Sequence, residues 1–369
     1  MSLVLQQLFI MNNFEYFPIN WVEGMHINAS HFINTENFLL ERIIKATAIA
    51  FSGQYGILPN SNFSDSNFKI ENLGNKTQIF LKNYYGICPN GFPILIDEKN
   101  NTDIHATFNH QEGKDSQTWD IVLTVFPYQR KPTGTPDPNE MPLRYPNVQP
   151  QFQLGIIPTQ ENASYEPFSV IVGVLKKINN NEYGIDHNYI PPSLSMDAHE
   201  TLKENMLNFL GTLVDIDSKL KSILSKIQTQ PNHNSITESL SVLCKEMLRY
   251  IASINYILKN NPYQLSPFVV CEKINGLVGC VLSSFTFISK KEKEELLKYF
   301  QEWNGILPAS FEQMFADFYA TTYNHNRIQL SMYSINFILQ NLKELFTKLS
   351  QLEFVGQHKE SIVISESRA

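Results

Sequence analysis

The chain has 369 residues, 43% of them hydrophobic and 18% charged, with a formal net charge of −7. That length allows two or three domains, and the apolar fraction excludes a disordered chain. The acidic balance argues against nucleic acid as the main partner, because phosphate binding requires clustered Lys and Arg.

In chain order, Met1 to Met11 is apolar but has neither a basic flank nor a small-residue cleavage site, so no signal peptide is expected. A helix is predicted from about Asn34 to Ala50, with Phe38, Ile43 and Ile44 on its apolar side. Short β-branched and aromatic runs follow: Thr77 to Leu81, Trp119 to Phe126 and Phe168 to Leu175. Turn chemistry separates them at Asn90-Gly91, Gly113-Lys114-Asp115 and Asn179-Asn180-Asn181, a pattern of an antiparallel sandwich or barrel. Lys131 to Pro150 carries six prolines and reads as a long loop.

After Pro191-Pro192 the period changes. Leu202, Met206, Phe209, Leu213, Ile216, Leu220, Ile223 and Ile227 are spaced alternately by four and three. Ile236, Leu240, Leu243, Met247, Tyr250, Ile254 and Ile257 repeat the pattern, as do Ile328, Met332, Ile335, Leu339, Leu342, Phe346 and Leu349. Such a repeat keeps one seam facing a partner helix. Each buried Leu or Ile contributes on the order of 1.5–3 kcal/mol, so seven or eight per helix hold either a bundle within one chain or a symmetric coiled coil. Leu207, Leu210, Val214 and Leu224 widen the first stripe beyond one neighbour. Between the heptad stretches, Pro267 to Phe285 is apolar and Lys290 to Trp303 amphipathic, the latter opening on the mixed-sign run Lys290 to Glu295. Ser310 to Gln313 resembles a capping box, and Phe354 to Ala369 reads as a short strand or loose tail. No run of 18 apolar residues occurs, so no membrane insertion is expected.

Chemistry is hard to find. No Walker, H-E-x-x-H or G-x-S-x-G motif occurs. His26 and His31 are five apart, as are His105 and His110, a spacing that points to opposite faces of a strand and suits no metal chelate there. Asp186-His187 has no activated Ser or Cys to serve and reads as a turn. Cys88, Cys244, Cys271 and Cys280 form no C-x-x-C pair and read as small buried residues in a reducing compartment. No catalytic residue, metal or cofactor is expected.

Four motifs occur in order. The first is Trp21, Glu23, Gly24, Met25, His31 and Phe32, a W-x-E-G-M segment followed by H-F. Then come Tyr55-Gly56-Ile57-Leu58-Pro59, Cys88-Pro89-Asn90-Gly91 and Asp186 to Met196, with Ile190-Pro191-Pro192 at its centre. Together they resemble the TssK family of type VI secretion baseplate proteins. The resemblance implies an α+β, multidomain chain: an antiparallel β-sandwich shoulder at 1–192, a helical neck bundle at 193–307 and a C-terminal helical region at 308–369 in which the family's head is reduced or absent. It implies a cytoplasmic homotrimer linking TssF/TssG-like wedge proteins to membrane-complex proteins at the inner membrane. Trp21, Gly24, Met25, His31 and Phe32 form the candidate partner-binding set; for Trp21, Met25 and Phe32 two readings stand, pinning the N-terminal segment to the core or docking the wedge, while His31 reads as a hydrogen-bonded packing residue. Gly24 is expected to permit a tight turn or a close backbone approach. The Leu202 to Ile227 seam is expected at or near the threefold axis, so that charged residues at Leu213 and Leu220 would give monomers or aggregates. The alternatives are a phage-tail-like protein recognising a cell-surface glycan and an enzyme with a jelly-roll pocket.

Overall fold

The computed structural model describes residues 14–98, 104–110, 116–160, 165–179 and 182–359. It divides into two compact units, Met1–Glu200 and Thr201–Ala369. The first is built from antiparallel sheets and the second from helices, an α+β chain.

The first unit opens with helix α1 (Ala29–Ala50) and continues through strands β1 (Gly56–Ile57), β2 (Phe68–Leu73), β3 (Lys76–Leu81), β4 (Tyr84–Ile87), β5 (Pro93–Ile96), β6 (His105–Asn109), β7 (Thr118–Thr133), β8 (Asn147–Pro158), β9 (Ser169–Asn179) and β10 (Glu182–Ile185). They form three sheets with orders β1-β4-β5, β10-β9-β7-β8 and β2-β3-β6. Alternating side chains from all three enter one core, including Ile57, Ile79, Ile94, Phe108, Trp119 and Leu123. Phe108, Trp119 and Tyr183 meet there with ring centroids 4.8–5.5 Å apart, and Phe63 stacks edge-on against Tyr84 at 5.6 Å. The sheet containing β9 is buried on both faces: Val122, Ile171 and Val174 point away from the main core and are covered by Tyr189. This explains why Val170 to Leu175 has no polar side chain rather than alternating.

Two sequence readings of this unit need correction. The helix starts at Ala29, about one turn before the predicted Asn34, because Asn28 caps it. Lys131 to Pro150 is only partly a loop. Strands β7 and β8 stay paired out to Thr133 opposite Asn147, so the prolines punctuate the end of a long hairpin. Pro132 and Pro150 are tolerated because the ribbon is only two strands wide there. The turns at 113–115 and 180–181, Met1 to Met11 and the tail at 360–369 lie wholly or mainly outside the described residues.

The second unit contains α2 (Glu200–Thr229), α3 (Ser235–Asn260), α4 (Pro267–Ser284), α5 (Lys290–Asn304), α6 (Pro308–Ala320) and α7 (Ile328–Gln351). Asn208 donates to Asn336 at 3.1 Å, Gln340 lies 3.5 Å from Thr212, and Lys343 pairs with Asp215 at 2.7 Å. Partners therefore advance together along α2 and α7, and the two helices run parallel. At the far end the Lys226 ammonium donates to the carbonyls of Ser350 and Leu352, at 2.8 and 2.6 Å, and caps α7. The capping box expected at Ser310 does not form. Helix α6 starts two residues earlier at Pro308, whose missing N–H suits a first helical position. Capping boxes close α1 through Asn28, α3 through Asn234 and α5 through Ser289. Helix α4 is long and apolar enough to cross a membrane by length and composition. It buries Val270, Ile274, Leu277, Val278 and Val281 and carries Glu272 and Lys273 in mid-helix, features of a bundle helix.

Candidate partner-docking site

The signature residues fold into a local structure at the entry to α1. Gly24 has a φ of +79°, and Met25 N–H closes the turn onto the Val22 carbonyl at 3.3 Å. A residue with a Cβ adopts that φ poorly, and no atom crowds the position. Of the two roles expected for Gly24, it fills that of a tight turn. The reversal carries Trp21 back over the first helical turn, edge-on to His31 at 5.9 Å and tilted against Phe32 at 6.5 Å. His31 closes the cap from the other side: its Nδ1 accepts the Asn28 N–H at 3.3 Å, while the Asn28 carboxamide oxygen accepts from Ser30 and His31 N–H. The pattern thus encodes a turn, a cap and an aromatic cluster.

That cluster does not reach the core. Trp21 is 51% exposed and Phe32 57%, with Val22 and Ile27 exposed beside them and Met25 half-buried. The expectation that these residues pin the N-terminal segment is therefore not met, and the pinning falls to residues that no motif marked. Glu41 is buried, and its carboxylate accepts the backbone N–H groups of Glu15 and Tyr16 at 3.0 and 3.1 Å while facing Lys45 at 3.7 Å. Arg42 and Lys45 lie over the Phe14 ring at 3.7 and 3.5 Å. Tyr16 stacks on Tyr128 of β7 at 4.8 Å, and Arg130 of β7 pairs with Glu36 at 2.7 Å. Burial, with the Glu41 carboxylate nearby, pushes the Tyr128 hydroxyl up to about 12.

Of the remaining motifs, one touches the helix that carries this site. The Pro89-Asn90-Gly91 turn packs directly against α1: a Cβ at Gly91 would sit 2.3 Å from the Ile44 carbonyl oxygen and 2.6 Å from the Ala48 nitrogen. The second and fourth motifs meet each other, with Ile57 N–H donating to the Pro192 carbonyl at 2.8 Å and Leu194 N–H to that of Ile57 at 2.9 Å. Beyond the sheet, the β7–β8 hairpin ends in a tip shaped by Asn139 N–H on the Asp137 carboxylate at 2.9 Å and by an Arg144–Glu140 pair at 2.7 Å. The tip exposes Met141, Leu143 and Tyr145.

The seam residues Leu202, Met206, Phe209, Leu213, Ile216, Leu220, Ile223 and Ile227 are all buried, none more than 6% exposed, inside the chain's own helical unit. Their burial fits the bundle form of the expected seam, in which the heptads pack within one chain. What α2 presents outward is the flanking stripe, Leu207 at 65% and Val214 at 68% exposure. On parallel α7, Leu330, Tyr333 and Phe337 are exposed near the same end. Among the described residues no group of three His, Cys, Asp or Glu side chains could hold a metal ion.

No protein-family model and no curated protein matches the chain. Solved structures do. A crystal structure of TssK is 16% identical, with a TM-score of 0.54 over 88% of this chain and 69% of that one. A chain of the TssK–TssF–TssG baseplate subcomplex of the type VI secretion system, seen by cryo-electron microscopy, is 14% identical, with a TM-score of 0.52 over 89% of this chain and 99% of that one. The baseplate complex from the type VI secretion system contains another at 13% identity, with a TM-score of 0.53 over 89% and 70%. From its N-terminal antiparallel sheets through its helical unit, the chain carries a TssK-like fold.

Proposed function

We propose that this chain is a non-enzymatic baseplate adaptor of a type VI secretion system, acting as a cytoplasmic homotrimer that joins wedge proteins like TssF and TssG to the membrane complex. The observation that carries this reading is a TssK-like fold over nearly nine-tenths of the chain, with one matching structure solved together with TssF and TssG. In this reading residues 1–192 are the shoulder, 193–307 the neck and 308–369 a reduced head.

The exposed pair Trp21 and Phe32, with half-buried Met25 in the turn beside them, ordered by the Gly24 turn and the His31 cap, suits a wedge-docking surface. Large aromatics held rigid at the surface lose little entropy on binding and are typical anchors of an interface. The outward stripe of α2 and α7 suits the trimer contact. The test is co-purification of the chain with the TssF- and TssG-like products of neighbouring genes. The reading predicts capture by the parent chain and loss of capture by Trp21→Ala/Phe32→Ala, whose exposed side chains contribute little to folding. Failure of the parent chain to bind any wedge protein overturns it.

A further inference from the structure

We propose that the copies meet where Phe337 of one copy enters a notch at Gly211 on α2 of the next. This contact rests on the trimer reading above and names where the copies touch. Gly211 lies in the interior of the 30-residue helix α2 and is exposed. No atom among the described residues comes within 4 Å of where its Cβ would stand. Glycine lowers the stability of a helix interior relative to alanine, and no close packing within the chain requires it here. Leu207 and Val214, one turn to either side, are 65% and 68% exposed. The outer face of α2 therefore has two apolar walls with a gap between them, open to a side chain from another molecule.

The same chain carries a side chain of the right kind at the right height. On α7, Leu330, Tyr333 and Phe337 follow one another at spacings of three and four, and all are more than half exposed. Their height against α2 is set by the pairs Asn208–Asn336 and Thr212–Gln340, each 128 residues apart, across the two parallel helices. Phe337 is thus level with Phe209, between Leu207 and Gly211, and Tyr333 is level with Asn205. It does not fill the gap in its own chain, since nothing lies close to Gly211. Rotation about an axis along these helices keeps every residue at its own height, so the next copy brings its Phe337 to the notch. A knob between residues four apart on a facing helix is the packing unit of helix–helix contacts.

Charge agrees with this pairing. Past the apolar stretch, the outer face of α2 continues to Ser218 and Lys221, and that of α7 to Asn341 and Glu344. Lys221 and Glu344 are exposed and opposite in sign, although Lys221 also pairs with Asp217 of its own chain at 2.6 Å. In the ring, Glu344 of one copy and Lys221 of the next differ in height by about 7 Å, a span that two long side chains cover. Packing α2 on α2, or α7 on α7, about the same axis would instead set Lys221 near Lys221 and Glu344 near Glu344, and like charges oppose such contacts. A notch on one helix and a projection on another make a head-to-tail contact, the kind that closes into a ring.

Two experiments on the full chain test the contact. Full-length Gly211→Cys and Phe337→Cys chains, co-expressed with different affinity tags, should form a 211–337 disulfide under mild oxidation, located by mass spectrometry of the digest. Each chain lacks the second cysteine of that pair, so the bridge can only join copies. Gly211→Cys with Tyr256→Cys, an exposed position on α3, should not form one. Gly211→Ala should narrow the notch and raise the dissociation constant of the assembly, by sedimentation equilibrium, at least about tenfold. In the Leu207→Asp/Val214→Asp chain the same change should raise the melting midpoint, because alanine favours the helix. A glycine with no partner would give the second effect without the first. A trimer that lacks the 211–337 bridge, or that Gly211→Ala leaves equally tight, overturns the proposal and leaves the trimer reading standing. A chain that stays single at every concentration measured overturns both.

Discussion

One methyl group at position 91 would probe how α1 is held to the sheets. Gly91 has a φ of +97°, and a Cβ there meets main-chain atoms of α1 that no rotamer change can move. Gly91→Ala should therefore lower stability by at least about 2 kcal/mol, the order expected of backbone strain at one residue, read as a shift in a urea unfolding curve. His199 gives a pH-dependent counterpart. It is 6% exposed, and burial lowers its pKa from 6.5 against the opposing pull of Asp65 and Glu200. The unfolded chain thus takes up a proton near pH 6.5 while the folded chain resists it, so stability is full above that pH and falls as pH drops toward the lowered value. His199→Asn should flatten the thermal-melting midpoint between pH 7 and pH 5, and an unchanged slope would remove His199 as the source. Residues differ in how far sequence exposes such roles. Gly24 and Gly91 stood out as parts of motifs, because a turn requires a particular residue at a particular place. Glu41 did not, since a glutamate in an amphipathic helix looks the same whether it faces water or holds a segment 25 residues away.

Elements were legible where one side of a period is buried. Every seam residue of α2 from Leu202 to Ile227 is inside, as are the seven predicted on α7. Helix α3 departs from the pattern in its second half. Ile251 and Leu258 are buried where the strict heptad called for Tyr250 and Ile257. An α-helix turns every 3.6 residues and drifts from a 3.5 repeat by about 20° per heptad, so the buried face moves on by one position. The short strands were harder. Strands β1, β4 and β10 have two to four residues and carry no period long enough to recognise, while the exposed outer half of β8 reads as polar loop. Burial of the α2 seam also changes what its mutations report. Leu220 is fully buried, so Leu220→Asp should unfold the helical unit, costing on the order of 4 kcal/mol or more, visible as lost helical circular dichroism. Lys226→Met should cost about 1–2 kcal/mol through the two uncapped carbonyls of α7. Leu207→Asp/Val214→Asp alters only exposed positions and should keep helical content and melting midpoint within a few degrees of the parent. Loss of that content would mean the outer stripe is packed within the chain after all.

At the scale of the whole molecule, the proposed trimer and the proposed docking cluster make separate demands, and their coupling is predictable. In the proposed trimer, three shoulders would present three copies of the docking cluster to a wedge, so later contacts would form at the effective concentration set by the first. Linked binding of this kind exceeds single-site affinity by roughly 10²- to 10⁴-fold. Trp21→Ala/Phe32→Ala should leave the trimer intact by light scattering and abolish wedge capture, because each site is lost and linkage multiplies nothing. Leu207→Asp/Val214→Asp should do the reverse, leaving a folded single chain whose isolated shoulder retains weak wedge affinity but has lost the gain from linkage. Titration of a surface-bound wedge with each variant distinguishes these outcomes. A monomeric variant that binds as tightly as the parent would show that one shoulder suffices, and the helical unit would then need a reason other than valency to bring three copies together.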